Sequence, residues 1–421
     1  MRAKFAVFFV CVSAACACDS AGAADWPEWR GPNRDGICRE TGLLKRWPPG
    51  GPKLLWQIRG IGQGYSGPAV VGNVLYTIGD RNGKVTVLAL DVAAAGKRVW
   101  ASAIAPVTYK GHFPGTRCTP TVEGGRVYAL GAGGVLACLE QATGMKIWSL
   151  SYVKDFGGVV PRWGFAESVL IDGPWAICTP GGPKGSIVAL DKTTGRVVWS
   201  AKIGDKASYS SIVKAELAGV KQYVAFTADR VVGVRANDGK LLWQFKDPDH
   251  TANWGDVNVV TPVVSGDTVY ASSDYGVGGG LAKIVRTADG LRAQKTWFTK
   301  ELKNHHGGVI LLDGALYGCD NPGALTCLDH KTGKVLWKSR KPGKCSVLYA
   351  DGMLYCRDEK GPITLVKATP KGYIQAGRFD QPRRSKAKAW PHPVIANGRL
   401  YIRDQDLLLC YDVRADSRVS K

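Results

Sequence analysis

The chain has 421 residues, with 56 Lys and Arg against 35 Asp and Glu, a formal net charge of +21. That length outgrows one ordinary hydrophobic core and demands several domains or a repeat array. Gly reaches 53 and Trp 14 with few helical patterns, which argues against a helix bundle and for short strands joined by tight turns.

In chain order, Arg2 and Lys4 precede an apolar run from Phe5 to Ala17, and Ala21-Gly22-Ala23 follows as a small-residue cleavage site. The run is too short to span a bilayer as a mature helix, so residues 1–23 read as a signal peptide for export to the periplasm or beyond. Lipoprotein processing is the second reading, because Cys16 and Cys18 follow the run. Against it, Ser13-Ala14-Ala15 lacks the branched apolar residue usual three positions before a lipidated cysteine. No later stretch is apolar enough to cross a membrane. Without Cys11, Cys16 and Cys18, nine of the twelve cysteines remain, with no CxxC and no adjacent pair. Zinc-type spacing is therefore absent. Thiols in runs such as LACL at Cys138 and LTCL at Cys327 read as small buried hydrophobes, and their pairing is not set by the sequence.

From residue 54 onward one unit recurs. Ile187-Val-Ala-Leu-Asp191-Lys-Thr-Thr-Gly195-Arg-Val-Val-Trp199 is nearly copied by Leu325-Thr-Cys-Leu-Asp329-His-Lys-Thr-Gly333-Lys-Val-Leu-Trp337. Weaker copies end at Gly96/Trp100, Gly144/Trp148 and Gly239/Trp243. A strand ends at the Asp, whose carboxylate can accept turn N–H groups. The Gly supplies a left-handed turn residue, and the Trp leaves on the next strand's buried face. Upstream lies a second hairpin, as in Pro262-Val-Val-Ser-Gly-Asp-Thr-Val-Tyr270, so each unit has four strands, the size of a propeller blade. The closing aromatics Trp56, Trp100, Trp148, Trp199, Trp243, Trp297, Trp337 and Phe379 are spaced by about 46 residues, a blade-sized period. The last unit, Pro393 to Asp412, stops one strand short, and Leu54–Ile58 is an orphan strand that can complete it and close the edge.

The expected fold is therefore all-β: an eight-bladed β-propeller of four-stranded antiparallel blades, its last blade closed by the N-terminal strand. Seven blades is the alternative, if one of the degraded units at Trp297 and Phe379 is an insertion. The expected layout is a leader at 24–53, the propeller at 54–414 and a tail at 415–421.

This Asp…Gly…Trp unit resembles the pyrroloquinoline-quinone (PQQ)-like repeat over about residues 54–412. The same repeat occurs in quinoprotein alcohol dehydrogenases, which bind PQQ and calcium. It also occurs in the propeller lipoprotein of the outer-membrane β-barrel assembly machinery, a scaffold. The N-terminal Trp26-Pro-Glu-Trp29-Arg-Gly-Pro-Asn-Arg-Asp-Gly36 is similar to the leader of a group of secreted bacterial PQQ-like propellers, a resemblance that implies no particular activity. The chain lacks the adjacent-cysteine pair on which many quinoprotein dehydrogenases seat PQQ, and it has no CxxCH haem site.

Propellers bind ligands at the channel mouth, so polar departures from the repeat near inner strands are the candidates. Asn304-His305-His306-Gly307-Gly308 replaces an apolar blade start, and paired imidazoles suit a metal or a proton. Glu167 stands in an apolar context, where a channel-facing carboxylate suits calcium; it and His305 are the weak metal candidates. Tyr65-Ser66 and Tyr209-Ser210-Ser211 read as channel-lining hydroxyls. Asn253 and Trp254 combine an amide with an indole, suited to stacking and hydrogen bonding. His392 opens the last blade; Arg403 would reach an anion or pair locally with Asp404. Three functions follow: a non-catalytic exported module binding a protein or cell-envelope polymer at the channel mouth; a PQQ-dependent dehydrogenase with calcium, oxidising an alcohol or sugar; and a polyanion binder driven by the positive charge. A monomer is expected.

Overall fold

The computed structural model describes residues 25–246 and 257–415; Asn253, Trp254 and the signal segment lie outside them. Blade 1 comprises Ala69–Val71, Val74–Arg81, Lys84–Asp91 and Lys97–Pro106, running from the inside outward. The same order recurs in blades 2 (121–151), 3 (170–201), 4 (213–245), 5 (263–299), 6 (304–339) and 7 (345–379). Blade 8 takes Val394–Ala396, Arg399–Asp404 and Leu407–Asp412 from the C-terminal end. Its outermost strand is Lys53–Ile58, antiparallel to Leu407–Asp412 with Trp56 opposite Cys410. The ring has eight blades, closed as the orphan strand implied.

The Gly-to-Trp spacing of the repeat is built by a β-bulge. In every blade the register slips between the third and fourth strands, beside the closing Trp in seven of them and beside Gly377, two residues before Phe379, in blade 7. A bulge sets two residues against one. Val197 and Val198 therefore both face solvent while Trp199 turns in. The Asp of the unit acts as expected: Asp191 Oδ1 accepts the Thr193 and Thr194 N–H groups at 2.9 and 2.8 Å. The Trp then lies on the next blade. Trp100, Trp148, Trp199, Trp297 and Trp337 each donate their indole N–H across the seam, at 2.8–3.1 Å, to a carbonyl of the following turn. Each such bond contributes roughly 1 kcal/mol beyond the burial of the ring. The core is thus a series of inter-blade seams, such as Val87 and Ala89 of blade 1 against Val127 and Ala129 of blade 2. The nine cysteines of the described residues are all free and buried.

The leader does not stand apart from the ring. It crosses the channel and touches all eight blades. Trp26 exchanges two backbone hydrogen bonds with Val70 of blade 1, both 2.8 Å, and the Pro27 carbonyl accepts from Val122 of blade 2 at 2.9 Å. Arg34 donates to the carbonyls of Ser168 and Val169 at blade 3 and of Ile212 at blade 4. Trp29 Nε1 reaches Thr261 Oγ1 beside blade 5 at 2.9 Å, and Arg30 reaches the Val309 carbonyl in blade 6 at 2.6 Å. Ile37–Cys38 adds a parallel strand to the inner edge of blade 7, and Glu40 accepts the N–H groups of Asn397 and Gly398 in blade 8. Buried backbone carbonyls on the inner strands need donors, and two leader arginines supply them.

Candidate functional site

The connections between blades, together with the hairpins joining second to third strands, gather on one face of the ring. They enclose a cavity of about 370 Å³, within the usual range for a ligand site of roughly 300–1,000 Å³. The leader closes its floor with Trp29. Aromatic rings make the wall: Tyr65, Phe113, Trp163, Tyr209, Tyr275 and Trp390. Adjacent rings touch at an angle. Tyr65 and Phe113 pack on Trp390 with centroids 5.1 and 4.7 Å apart, and Trp163 meets Tyr209 at 5.6 Å.

Charge is placed at the rim. Arg117 lies over Tyr65 and Tyr109, 5.5 and 5.4 Å from the ring centroids, and donates to the carbonyls of Gly115 and Phe113. Cations over aromatic faces are held electrostatically as well as by hydrogen bonds. Glu359 is bracketed by Lys388 at 2.8 Å, Lys344 at 4.0 Å and the Trp390 indole N–H at 3.1 Å. These contacts hold its carboxyl below the usual carboxylate range in spite of burial.

Three imidazoles lie between the rim and the floor. His305 Nδ1 and His306 Nδ1 are 3.2 Å apart, and the Tyr275 hydroxyl is 3.4 Å from His305 Nε2. His392 Nε2 donates to the His306 carbonyl at 2.7 Å, and its ring packs on Trp29 with centroids 4.6 Å apart. Burial pushes His305 and His392 down to about 3, helped by the nearby cations Lys344 and Arg30 respectively. Burial likewise holds His306 well below its ordinary value, with His305 and Lys344 adding to the effect. All three rings are neutral at physiological pH, each with one donor and one acceptor nitrogen. The two glycines after them are required by the leader and its neighbour. A Cβ on Gly308 would stand 1.8 Å from Arg30 Nη1, and one on Gly307 would stand 2.2 Å from the Cys345 carbonyl.

The structure therefore brings Tyr209, His305, His306 and His392 to one cavity, with Tyr65 and Ser211 beside them. Glu167 and Arg403 lie elsewhere. Glu167 is buried between blades 2 and 3, where its Oε1 accepts from the Tyr152 hydroxyl and the Thr179 N–H, both at 2.7 Å. Burial raises its pKa against those bonds. Arg403 is wholly buried and donates to the carbonyls of Gly62, Ser66, Ile78 and Gln405 and to Thr77 Oγ1. The local Arg403–Asp404 pair does not form; Asp404 instead pairs with Arg384 at 3.1 Å, because Arg403 points across the seam to blade 1. Among the described residues no three His, Cys, Asp or Glu groups gather around one point where a metal ion would touch them. Phe113, Arg117, Lys344, Glu359 and Lys388 were not foreseen, because they lie in connections that the repeat does not frame.

Comparison with known proteins agrees with this architecture. Residues 81–339 match the family model described as outer membrane protein assembly factor BamB (PQQ_2). BamB of Yersinia pestis is 22% identical over 302 residues, covering 68% of this chain and 71% of that protein. The crystal structure of BamB from Moraxella catarrhalis superposes with a TM-score of 0.61 at 17% identity, over 85% of this chain and 97% of its own. Quinohemoprotein alcohol dehydrogenase from Comamonas testosteroni gives 0.63 at 13% identity, over 94% and 82%. At these identities the two structures share the fold and carry no activity across. The family match covers more than half the sequence, and the chain belongs to the BamB-like PQQ_2 family.

Proposed function

We propose that the protein is an exported binding module, and that the aromatic bowl over the leader is where it takes hold of its ligand. The observation that carries this is the plug. Residues 25–40 cross the channel and leave a cavity floored by Trp29, in which aromatic rings and a few polar groups converge on one space. The BamB-like family supports the reading as a binding or scaffold module, and the N-terminal signal-like segment supports export. A calcium-held quinone does not fit the residues present. Among the described residues that line the cavity the one carboxylate, Glu359, is committed to Lys388 and the Trp390 indole. The other candidate carboxylate, Glu167, is bonded within the wall of blades 2 and 3. The test is reconstitution of the purified mature chain with PQQ and calcium, followed by a dye-linked assay with primary alcohols and aldoses. We expect no turnover above the protein-free control. Turnover that is lost in His305→Ala and Trp163→Ala would overturn the binding reading and make the bowl a redox site.

A further inference from the structure

We propose that the bowl takes an acidic saccharide, a sugar ring bearing a carboxylate or sulfate, presented as the end of a chain. This rests on reading the bowl as the protein's binding site. Three observations point to it.

The wall is faceted. Tyr65 and Trp390 meet at 41°, Phe113 and Trp390 at 59°, and Trp163 and Tyr209 at 54°. A flat heteroaromatic ligand gains most between parallel rings. A puckered ring presents C–H groups in several directions, and tilted rings meet them. The polar groups match hydroxyls. The neutral His305 ring, the Tyr275 hydroxyl 3.4 Å from its Nε2 and the Asn321 amide stand on the same wall, while His306 Nδ1 is turned to His305.

Among the described residues the charge balance of the wall is positive, with Arg117, Lys344 and Lys388 against the single carboxylate Glu359. Arg117 is fixed by two carbonyls and two ring faces before any ligand arrives, so little ordering is left for binding to impose. The net charge of +21 favours approach of an anionic polymer from a distance. Because Trp29 and the leader close the floor, a polymer cannot thread through; its terminus, or a side-branch sugar, is what enters.

The test is calorimetric titration of the mature chain with four probes: an oligogalacturonate, a sulfated galactan oligosaccharide, the uncharged galactose oligomer and poly-glutamate. We expect saturable binding of at least one acidic saccharide and at least tenfold weaker binding of the uncharged oligomer. Trp163→Ala and Lys344→Gln should each weaken binding on the order of tenfold, the scale of one lost stacking or ionic contact, while Trp163→Phe retains most of it. Unfolding midpoints check that each variant folds. Lys334→Gln, which removes the same charge from an exposed turn of blade 6, should change nothing. Equal affinity for charged and uncharged sugars, or equal loss in Lys334→Gln and Lys344→Gln, would overturn the assignment. Binding of poly-glutamate alone would replace the saccharide by an acidic peptide and leave the bowl a binding site. Binding of none of the four removes the saccharide, whereas the binding-module reading falls only to the quinone turnover described above.

Discussion

Arg403 Nη1 donates to the Ile78 carbonyl at 2.6 Å, joining the last blade of the ring to the first. Its other guanidinium nitrogens reach the carbonyls of Gly62 and Gln405. One seam earlier, the buried Arg357 does the same from blade 7, donating to the carbonyls of Arg403 and Pro391 in and before blade 8. The ring is therefore held twice: by the shared strand Lys53–Ile58 on the outside and by an arginine relay on the inside. Burial lowers both guanidinium pKa values, Arg403 to about 10 and Arg357 to about 9, so both remain charged at neutral pH. Carbonyl oxygens are the partners that make this burial tolerable.

Removing the staple should open the ring. We expect Arg403→Met, which keeps the stem but deletes the donors, to lower unfolding free energy by about 3–5 kcal/mol, the scale of breaking a buried charged network. Arg403→Lys should recover little of it, because an ammonium cannot reproduce the planar fork. Denaturant unfolding followed by both tryptophan fluorescence and circular dichroism measures this. A loss below about 1 kcal/mol would show that the outer strand alone carries closure.

The Gly of each repeat is read by the Trp of the preceding blade. Gly144 has φ of +75°, and a Cβ there would stand 2.5 Å from Trp100 Cε3. Gly173 has a similar positive φ of +57° with nothing within 4 Å. We expect Gly173→Ala to cost about 1 kcal/mol from backbone strain alone, and Gly144→Ala about 2–4 kcal/mol, since the indole must also shift. Equal costs would mean that only the backbone conformation matters at these turns.

How much of this was legible follows from what a repeat can and cannot encode. Asp191, Gly195 and Trp199 recur because each blade solves the same packing problem, so the blades, their number and the Lys53–Ile58 closure were readable from spacing. The bulge was not, because it leaves Val197 and Val198 in sequence looking like any strand. The leader's place across the channel was not legible for a physical reason: nothing in the spacing of Arg30 and Arg34 marks them as buried, yet each is 4% exposed and donates to backbone carbonyls of the blades. In the site, His305, His306, His392 and Tyr209 were visible as departures from the repeat. Glu167, in the connection entering blade 3, and Arg403, on the second strand of blade 8, depart from the repeat in the same way but brace the neighbouring blade instead of lining the cavity. Arg117 and Lys344 sit in connections of irregular length, where no periodic frame marks a position as inward.

The leader should behave as a structural part of the ring. Arg34 serves three carbonyls of blades 3 and 4 and also pairs with Glu28. We expect Arg34→Ala to destabilise by about 3 kcal/mol or more, because those acceptors would be left buried without donors. Amide hydrogen exchange should quicken across residues 168–172 and 212–217 more than in the outer strands of the same blades. Unchanged exchange there would show that the plug is passive.

Acid should weaken the fold through the bowl's histidines. His392 ionises at about 3 in the folded chain, whereas an unfolded histidine ionises near 6.5. Between those values the unfolded state binds the proton and the folded state does not, so stability is fully present above about pH 6.5 and falls as pH drops toward 3. Each such group contributes a slope of up to about 1.4 kcal/mol per pH unit in that window. Asp80, raised by burial to about 6, opposes this, since its folded carboxyl takes up a proton before the unfolded one does. A variant comparison separates the two. Asn at position 392 keeps a polar group able to donate to the His306 carbonyl but cannot titrate. We expect the stability difference between wild type and His392→Asn to shrink by roughly 1 kcal/mol for each pH unit between about 6 and 4, read from urea midpoints at matched ionic strength. A difference that stays constant across that range would mean His392 is protonated in the folded bowl, contrary to its burial against Trp29 and Arg30.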